Sequence, residues 1–164
     1  MSSNKNVKEG SKKSSKKVGK NLKIDIRYLD PEMPELEFIE GKSDWIDLRS
    51  LEEVNLKKGE FKIISLGVCM KLPDGYEAHI VPRSSTFKNY GIIQVNSVGI
   101  IDNSYSGNDD VWGMCVYATR NTTINKFDRI CQFRIFKKQP NIEFNKVEKL
   151  HGKNRGGYGS TGKK

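Results

Sequence analysis

The chain has 164 residues, of which 35% are hydrophobic, and a formal net charge of +9, which suits one domain around one core. No apolar run approaches the ~20 residues that cross a bilayer as a helix, and no apolar stretch follows the N-terminal lysines, so neither a membrane span nor a secretory signal is expected. Cys69, Cys115 and Cys131 are odd in number and far apart, and only His79 and His151 could join them; this argues against a disulfide framework or zinc site and for a reducing cytoplasm.

In chain order, residues 1–20 come first, with seven Lys against one Glu and so six of the nine net positive charges. Basicity belongs to this Lys/Ser-rich tail and not to the body. The plain reading is a solvated, disordered extension; the functional one is weak attraction to nucleic acid. From Leu22 the dominant period becomes two. Leu22, Ile24, Ile26 and Tyr28 alternate with Lys23, Asp25 and Arg27, as in a half-buried strand. Further strands are predicted at 36–39, 45–48, 61–69, 76–81, 92–95, 111–119 and 130–136. Turn residues separate them, among them Lys57 to Glu60, Leu72 to Tyr76 and Asn103 to Asp110. One short helix or turn is expected from Ser84 to about Asn89. Many short strands with frequent turns indicate an all-β sandwich or closed barrel. After Leu150 the chain reads HGKNRGGYGSTGKK, too polar to order itself by burial.

Four segments carry candidate chemistry. Pro82-Arg83-Ser84-Ser85 sets a planar guanidinium fork and two hydroxyls where a strand ends, a donor set suited to phosphate; taken alone, Ser84 reads equally well as a helix cap. Asn96 to Gly107 reads as a hairpin with apolar arms that brings Asn96 near Tyr105. In it Asp102 follows two isoleucines, where partial shielding would favour a general base over an ordinary turn Asp. Gln132 follows Asp128-Arg129-Ile130-Cys131 on a strand, its amide free to meet a ligand oxygen. Gly157 to Lys163 has nearly the spacing of a phosphate-binding P-loop, but the chain ends where Ser or Thr and a helix are needed, so that reading fails. Glycines that let backbone N–H groups crowd a polyphosphate still suit an arm that closes over one.

These segments, in this order, resemble the motifs of the homotrimeric dUTPase family. The resemblance runs from Leu22 to the end and begins in earnest at Ser43-Asp44-Trp45-Ile46-Asp47-Leu48. Asp102 with its neighbours and the terminal Gly-Tyr-Gly-Ser-Thr-Gly are its specific parts. It implies a single-domain distorted jelly-roll β-barrel over 21–150, closed by a mobile Gly-rich arm over 151–164. It implies Mg2+-dependent hydrolysis of dUTP to dUMP and pyrophosphate, which keeps uracil out of DNA and supplies dUMP for thymidylate synthesis.

By the same resemblance Asp102 activates the attacking water. Arg83, Ser84, Ser85 and Gln132 bind phosphate, while Asn96 with Gly99 and Ile101 reads the uracil edge. Tyr105 packs on the deoxyribose, leaving no space for a 2′-hydroxyl. Tyr158 stacks on the base, and Gly159, Ser160 and Thr161 grip the terminal phosphates. Lys153 or Arg155 meets the γ-phosphate. Asp47 helps to organise Mg2+ indirectly, through water, the ion being held mainly by the substrate phosphates. Each site would combine three chains: Asp102 from one, Arg83 and Gln132 from another, the arm from a third. Asp44 and Trp45 depart from the family, which has small residues there. A dCTP deaminase shares this fold type and the Pro-Arg-Ser-Ser segment, but deamination needs its own acid/base, typically Glu, and none lies between Gly107 and Lys138. An inactive binding protein on the same scaffold is the other rival; the intact Asp102, Tyr105 and Gln132 argue against it.

Overall fold

The computed structural model describes residues 21–38 and 40–157; the tail 1–20 and the end of the arm, with Tyr158, Gly159, Ser160 and Thr161, lie outside the described residues. Within them the chain is all-β apart from one short helix. In order it forms β1 (Asp25–Tyr28), β2 (Ile46–Arg49), β3 (Val54–Leu56), β4 (Phe61–Ser65), β5 (Val68–Lys71), β6 (Tyr76–Pro82), α1 (Thr86–Tyr90), β7 (Ile92–Gln94), β8 (Gly99–Ile101), β9 (Gly113–Ala118), β10 (Thr122–Ile124) and β11 (Arg129–Lys137). No helix among the described residues is long and apolar enough to cross a membrane.

Every pairing is antiparallel. The sheets run β2-β11-β6-β8, β4-β9-β7, β1-β5 and β10-β3. The longest register is β11 on β6, from Cys131↔Pro82 to Lys137↔Tyr76. Alternation decides what each strand buries. On β9, Met114, Val116 and Ala118 face inward, while Tyr117 faces out. On β11, Ile130, Cys131 and Phe133 are buried. Trp112 and Phe133, both buried, meet edge to face with ring centroids 5.2 Å apart, and Leu48, Ile64, Leu66, Ile80 and Ile124 close around them. Each such side chain contributes about 1.5–3 kcal/mol on leaving water. This is the expected jelly-roll class of barrel.

Four local expectations change. Residues 36–38 are not strand, because the Leu36 N–H donates to the Tyr28 hydroxyl at 2.8 Å rather than to a neighbouring strand. The stretch 61–69 divides into β4 and β5 at Gly67, whose φ of +66° breaks the extended run. The breaks are then satisfied from elsewhere: Leu66 N–H donates to Trp112 O, and Trp112 N–H to Val68 O, both at 2.9 Å. The hairpin expected over Asn96 to Gly107 does not form: only Gly99–Ile101 within it is strand, and this β8 pairs with β6 while β7 joins β9, so the turn between β7 and β8 crosses from one sheet to another. The helix begins at Thr86, two residues after Ser84, and ends at Gly91, in the left-handed region at φ 61°.

Gly67 has no room for a side chain. A Cβ there would lie 2.9 Å from Leu51 Cδ1 and 3.0 Å from Met33 Sδ, on a backbone that L-residues rarely adopt. Gly67→Ala is expected to destabilise the fold by about 1–3 kcal/mol, read as a lower urea midpoint at unchanged m-value. A midpoint equal to the parent's would mean that this break tolerates rearrangement.

Candidate active site

Two clefts hold seven of the described candidate residues: Asp47, Arg83, Ser84 and Gln132 in one, Ile101, Asp102 and Tyr105 in the other. The first, about 450 Å³, is lined by Trp45, Asp47, Arg49, Arg83, Ser84, Arg129 and Gln132, among others. Its geometry starts where β6 ends at Pro82. The Arg83 N–H donates to Thr86 Oγ1 at 2.9 Å, and that hydroxyl donates onward to Ile130 O at 2.8 Å. Thr86 is buried, so the hydroxyl ties the turn after β6 to the start of β11. Register does the rest: Gln132 faces Asp47 on one side and Val81 on the other, and its Nε2 donates to Pro82 O at 3.3 Å.

Asp47 is the electrostatic hub. Arg83 Nε lies 2.7 Å from its Oδ1, and Arg129 Nη1 lies 3.1 Å from its Oδ2. Arg83 Nη1 also donates to Arg129 O at 3.3 Å. One half-buried carboxylate thus orients two guanidinium groups, whose remaining N–H donors are those of a phosphate fork. The Ser84 side chain is exposed. The cap residue of α1 is Ser85, which makes no side-chain cap bond, so capping does not use up either hydroxyl. Behind this wall burial pushes the Cys131 thiol well above its ordinary value, the Asp47 carboxylate adding to the effect and Arg83 opposing it. A thiol so held is no nucleophile.

The second cleft, about 320 Å³, is lined by Ile63, Ile100, Ile101, Asp102, Tyr105, Val111 and Gly113. The Tyr105 N–H donates to Asp102 O at 3.1 Å, and its hydroxyl to Val111 O at 3.2 Å. The ring is therefore fixed as an apolar wall beside a carboxylate. A Cβ on Gly113 would sit 2.9 Å from Ile63 Cγ2, so glycine keeps this floor open. Asp102 itself is exposed. The shielding expected from its isoleucines is absent from the single chain, because it lies one residue beyond β8 and Ile100 faces outward at 52% exposure.

The clefts are not one. Ile101 pairs with Ala78 near the start of β6, and Arg83 follows Pro82 at its other end. Five residues along the chain separate Ala78 from Arg83, roughly 17 Å at the usual rise. Asp102 and Tyr105 are brought together; Arg83, Ser84, Gln132 and Asp47 are brought together; the two groups are not. Asn96 is exposed in the 95–98 turn. Lys153 and Arg155 lie in exposed irregular chain. Asp44 makes a surface pair with Arg134 at 3.4 Å, and Trp45 meets Phe136 edge to face at 6.2 Å while lining the first cleft. Sequence reading missed Arg129 and Thr86 as site builders, although both stand inside segments it had singled out.

The described residues contain no group of three or more His, Cys, Asp or Glu able to hold a metal ion. Both Asp47 oxygens already face guanidinium groups. The donor set of the described residues therefore does not fit a protein-bound cation.

The dUTPase family profile matches residues 44–162. Over 143 residues the chain is 54% identical to the SPbeta prophage-derived deoxyuridine 5'-triphosphate nucleotidohydrolase of Bacillus subtilis, covering 87% of this chain and 100% of that one. It is 34% identical over 143 residues to the deoxyuridine 5'-triphosphate nucleotidohydrolase of Streptomyces coelicolor, covering 86% and 78% of the two chains. Among solved structures, a mutant dUTPase of Staphylococcus bacteriophage 80alpha with dUpNHpp matches at TM-score 0.71 and 20% identity, covering 85% of this chain and 98% of that one. A mutant dUTPase from phage phi11 of S. aureus, solved with a structural Mg(II) ion, matches at TM-score 0.68 and 19% identity, covering 79% and 99%. These two likenesses bear on the fold.

Thr86→Val keeps the volume and removes the hydroxyl that links Arg83 N–H to Ile130 O. A loss of about 1–3 kcal/mol in stability is expected from the two backbone groups left without their partner, together with a higher KM for the nucleotide as Arg83 loosens. Denaturation and initial-rate kinetics on one preparation check both; a variant with the parent's midpoint and KM would show that the turn is held by other means.

Proposed function

Since this chain belongs to the dUTPase family and hydrolyses dUTP to dUMP and pyrophosphate, we propose that Asp102 is its general base and that each active site is built from both clefts, contributed by different chains. In this reading Asp102 takes a proton from the attacking water, the α–β phosphoanhydride breaks, and pyrophosphate leaves. Tyr105 packs on the deoxyribose and excludes a 2′-hydroxyl. Asn96, with the backbone of Gly99 and Ile101, reads the uracil edge. Arg83, Ser84, Ser85 and Gln132 of another chain hold phosphate oxygens, with Arg83 pre-aimed by Asp47. The reaction needs little covalent chemistry from the protein, so positioning and charge carry it. Mg2+ enters with the triphosphate as part of the substrate and is held by the phosphates, Asp47 acting on it only through water.

The observation that carries this reading is the division of the family's motifs between opposite ends of β6. One chain cannot close that gap. A heterologous contact that closes into a ring can, and a homotrimer is the ring proposed. Two unpartnered apolar surfaces support assembly. On the outer face of β4-β9-β7, Phe61 and Ile93 flank Tyr117 in register, and all three are exposed along with Ile63. In the segment after β11, Ile142, Phe144, Val147 and Leu150 are also exposed. That segment leads to the arm 151–164, which we propose closes over the substrate of a neighbouring site: Lys153 or Arg155 meets the γ-phosphate, Tyr158 stacks on the base, and Gly159, Ser160 and Thr161 hold phosphate. The tail 1–20 is proposed to add weak attraction to nucleic acid, its removal flattening the salt dependence of binding. The three cysteines are free, which suits action in a reducing cytoplasm.

Asp102→Asn is expected to keep nucleotide binding and to lose at least about 100-fold in kcat; near-normal turnover would remove Asp102 from the mechanism. Arg83→Ala should be inactive as well. If sites are shared, unfolding and refolding these two inactive proteins together returns activity, with about one site in four carrying both native residues. A mixture as inactive as its parts would confine the site to one chain. Truncation after Leu150 should leave a folded core with crippled hydrolysis, and full activity would show the arm to be dispensable.

A further inference from the structure

Gln94 closes β7 at 6% exposure, a polar side chain among Ile80, Ile92 and Val116 of the core. Its Nε2 donates to Ile80 O at 3.0 Å, across from the sheet of β7 to that of β6. Its Oε1 is buried without a partner. The orientation of the amide follows from chemistry: a backbone carbonyl only accepts, so the NH2 end must face Ile80 and the oxygen must face the other way. Buried carbonyls are rarely left so.

What lies beside this amide is the turn that links β7 to β8. Ile80 pairs with Gly99. A Cβ on Gly99 would sit 3.3 Å from Ile80 Cβ, 3.7 Å from Gln94 Nε2 and 3.8 Å from Asn96 Nδ2. The two side-chain amides therefore both reach the space over Gly99, and the tight contact a side chain there would make is with Ile80. The turn itself is strained: Ser97, not a glycine, has φ 58°, and Val98 N–H donates to Asn96 O two residues back. Strain of this kind persists where the surroundings hold it.

We propose that Gln94 is a positioning residue for base recognition, the buried end of an amide relay whose polarity is set by the Ile80 carbonyl. Ile80 O accepts from Gln94 Nε2; when the base seats, Gln94 Oε1 accepts from Asn96 Nδ2, which turns Asn96 Oδ1 outward as an acceptor. An acceptor there suits the ring N3–H of uracil and faces another acceptor at N3 of cytosine, which carries no proton. The inference rests on the assignment of the 96–101 segment to the uracil edge.

The test compares Gln94→Leu, Gln94→Glu, Asn96→Ala and the Gln94→Leu/Asn96→Ala pair in the full-length protein, with dUTP and dCTP as substrates. Gln94→Leu is expected to raise KM for dUTP about tenfold with kcat within about twofold of the parent, and to lower the dUTP-to-dCTP preference in kcat/KM about tenfold. Gln94→Glu keeps the shape but cannot donate to Ile80 O, so it should behave like Gln94→Leu. The double variant should be no worse than Asn96→Ala alone, because both break one relay. A lower melting temperature with unchanged KM and preference, or additive effects in the pair, would overturn the relay and leave Gln94 a core residue. If Gln94→Leu does not fold, Gln94→Glu and the dUTP-to-dCTP ratio decide the matter. If Asn96→Ala also leaves KM and preference unchanged, it is the assignment of the turn to uracil that fails.

Discussion

Strand β6 is bound along both edges, to β11 on one side and to β8 on the other, and a strand so held cannot fold back on itself. Its two ends stay roughly 20 Å apart. That one rigid distance organises the rest. The end at Pro82 presents Arg83 beside Asp47 and Gln132; toward the other end Ala78 pairs with Ile101, which shares a cleft with Asp102 and Tyr105. In the proposed shared site, a triphosphate and the base it carries would meet both groups where two chains come together, and the exposed apolar residues of β4-β9-β7 and of the segment after β11 would be buried by that meeting.

Within the phosphate cleft, the arrangement solves a problem of free energy. Unliganded guanidinium groups packed side by side repel, and long side chains lose entropy when held still. Asp47 answers both by facing Arg83 with one oxygen and Arg129 with the other. Its own contribution to stability is modest because the cluster is partly exposed. Its value lies in pre-orientation: Arg83 is held by the carboxylate through Nε, and its backbone by Thr86, before any ligand arrives. Donors fixed in advance need no reorganisation when charge moves during reaction.

The longer elements were legible because their residues alternate. The paired halves of β9 and β11 can be read directly from Met114-Cys115-Val116-Tyr117 and from the apolar positions of 130–136. Strands β3 and β10 have three residues each, too few for a period to register. The break at Gly67 was invisible because apolar residues continue on both sides of it; only the hydrogen bonds from Trp112 explain it. The candidate site was legible as motifs but not as geometry. Nothing in sequence says that β8 turns Ile100 outward and leaves Asp102 exposed, since two adjacent isoleucines on a strand must face opposite ways. Gln94 escaped for the opposite reason: a polar residue in an alternating strand reads as a surface position, and its burial depends on a carbonyl from another sheet.

If Asp102 is the general base proposed above, its exposure has a consequence for control of the reaction. In bulk water a carboxylate at the edge of an apolar cleft has no aligned phosphate to act on, and an isolated chain holds its phosphate donors a strand's length away. On the reading proposed above, competence would depend on assembly, which would supply the missing donors and cover Ile63 and its neighbours at the mouth of the Asp102 cleft. Because Ile63 lies both on the exposed face of β4 and in the wall of that cleft, whatever packs on the face also shapes the site. Subunit contact and substrate contact are continuous here, so a substitution that loosens one is expected to be felt in the other.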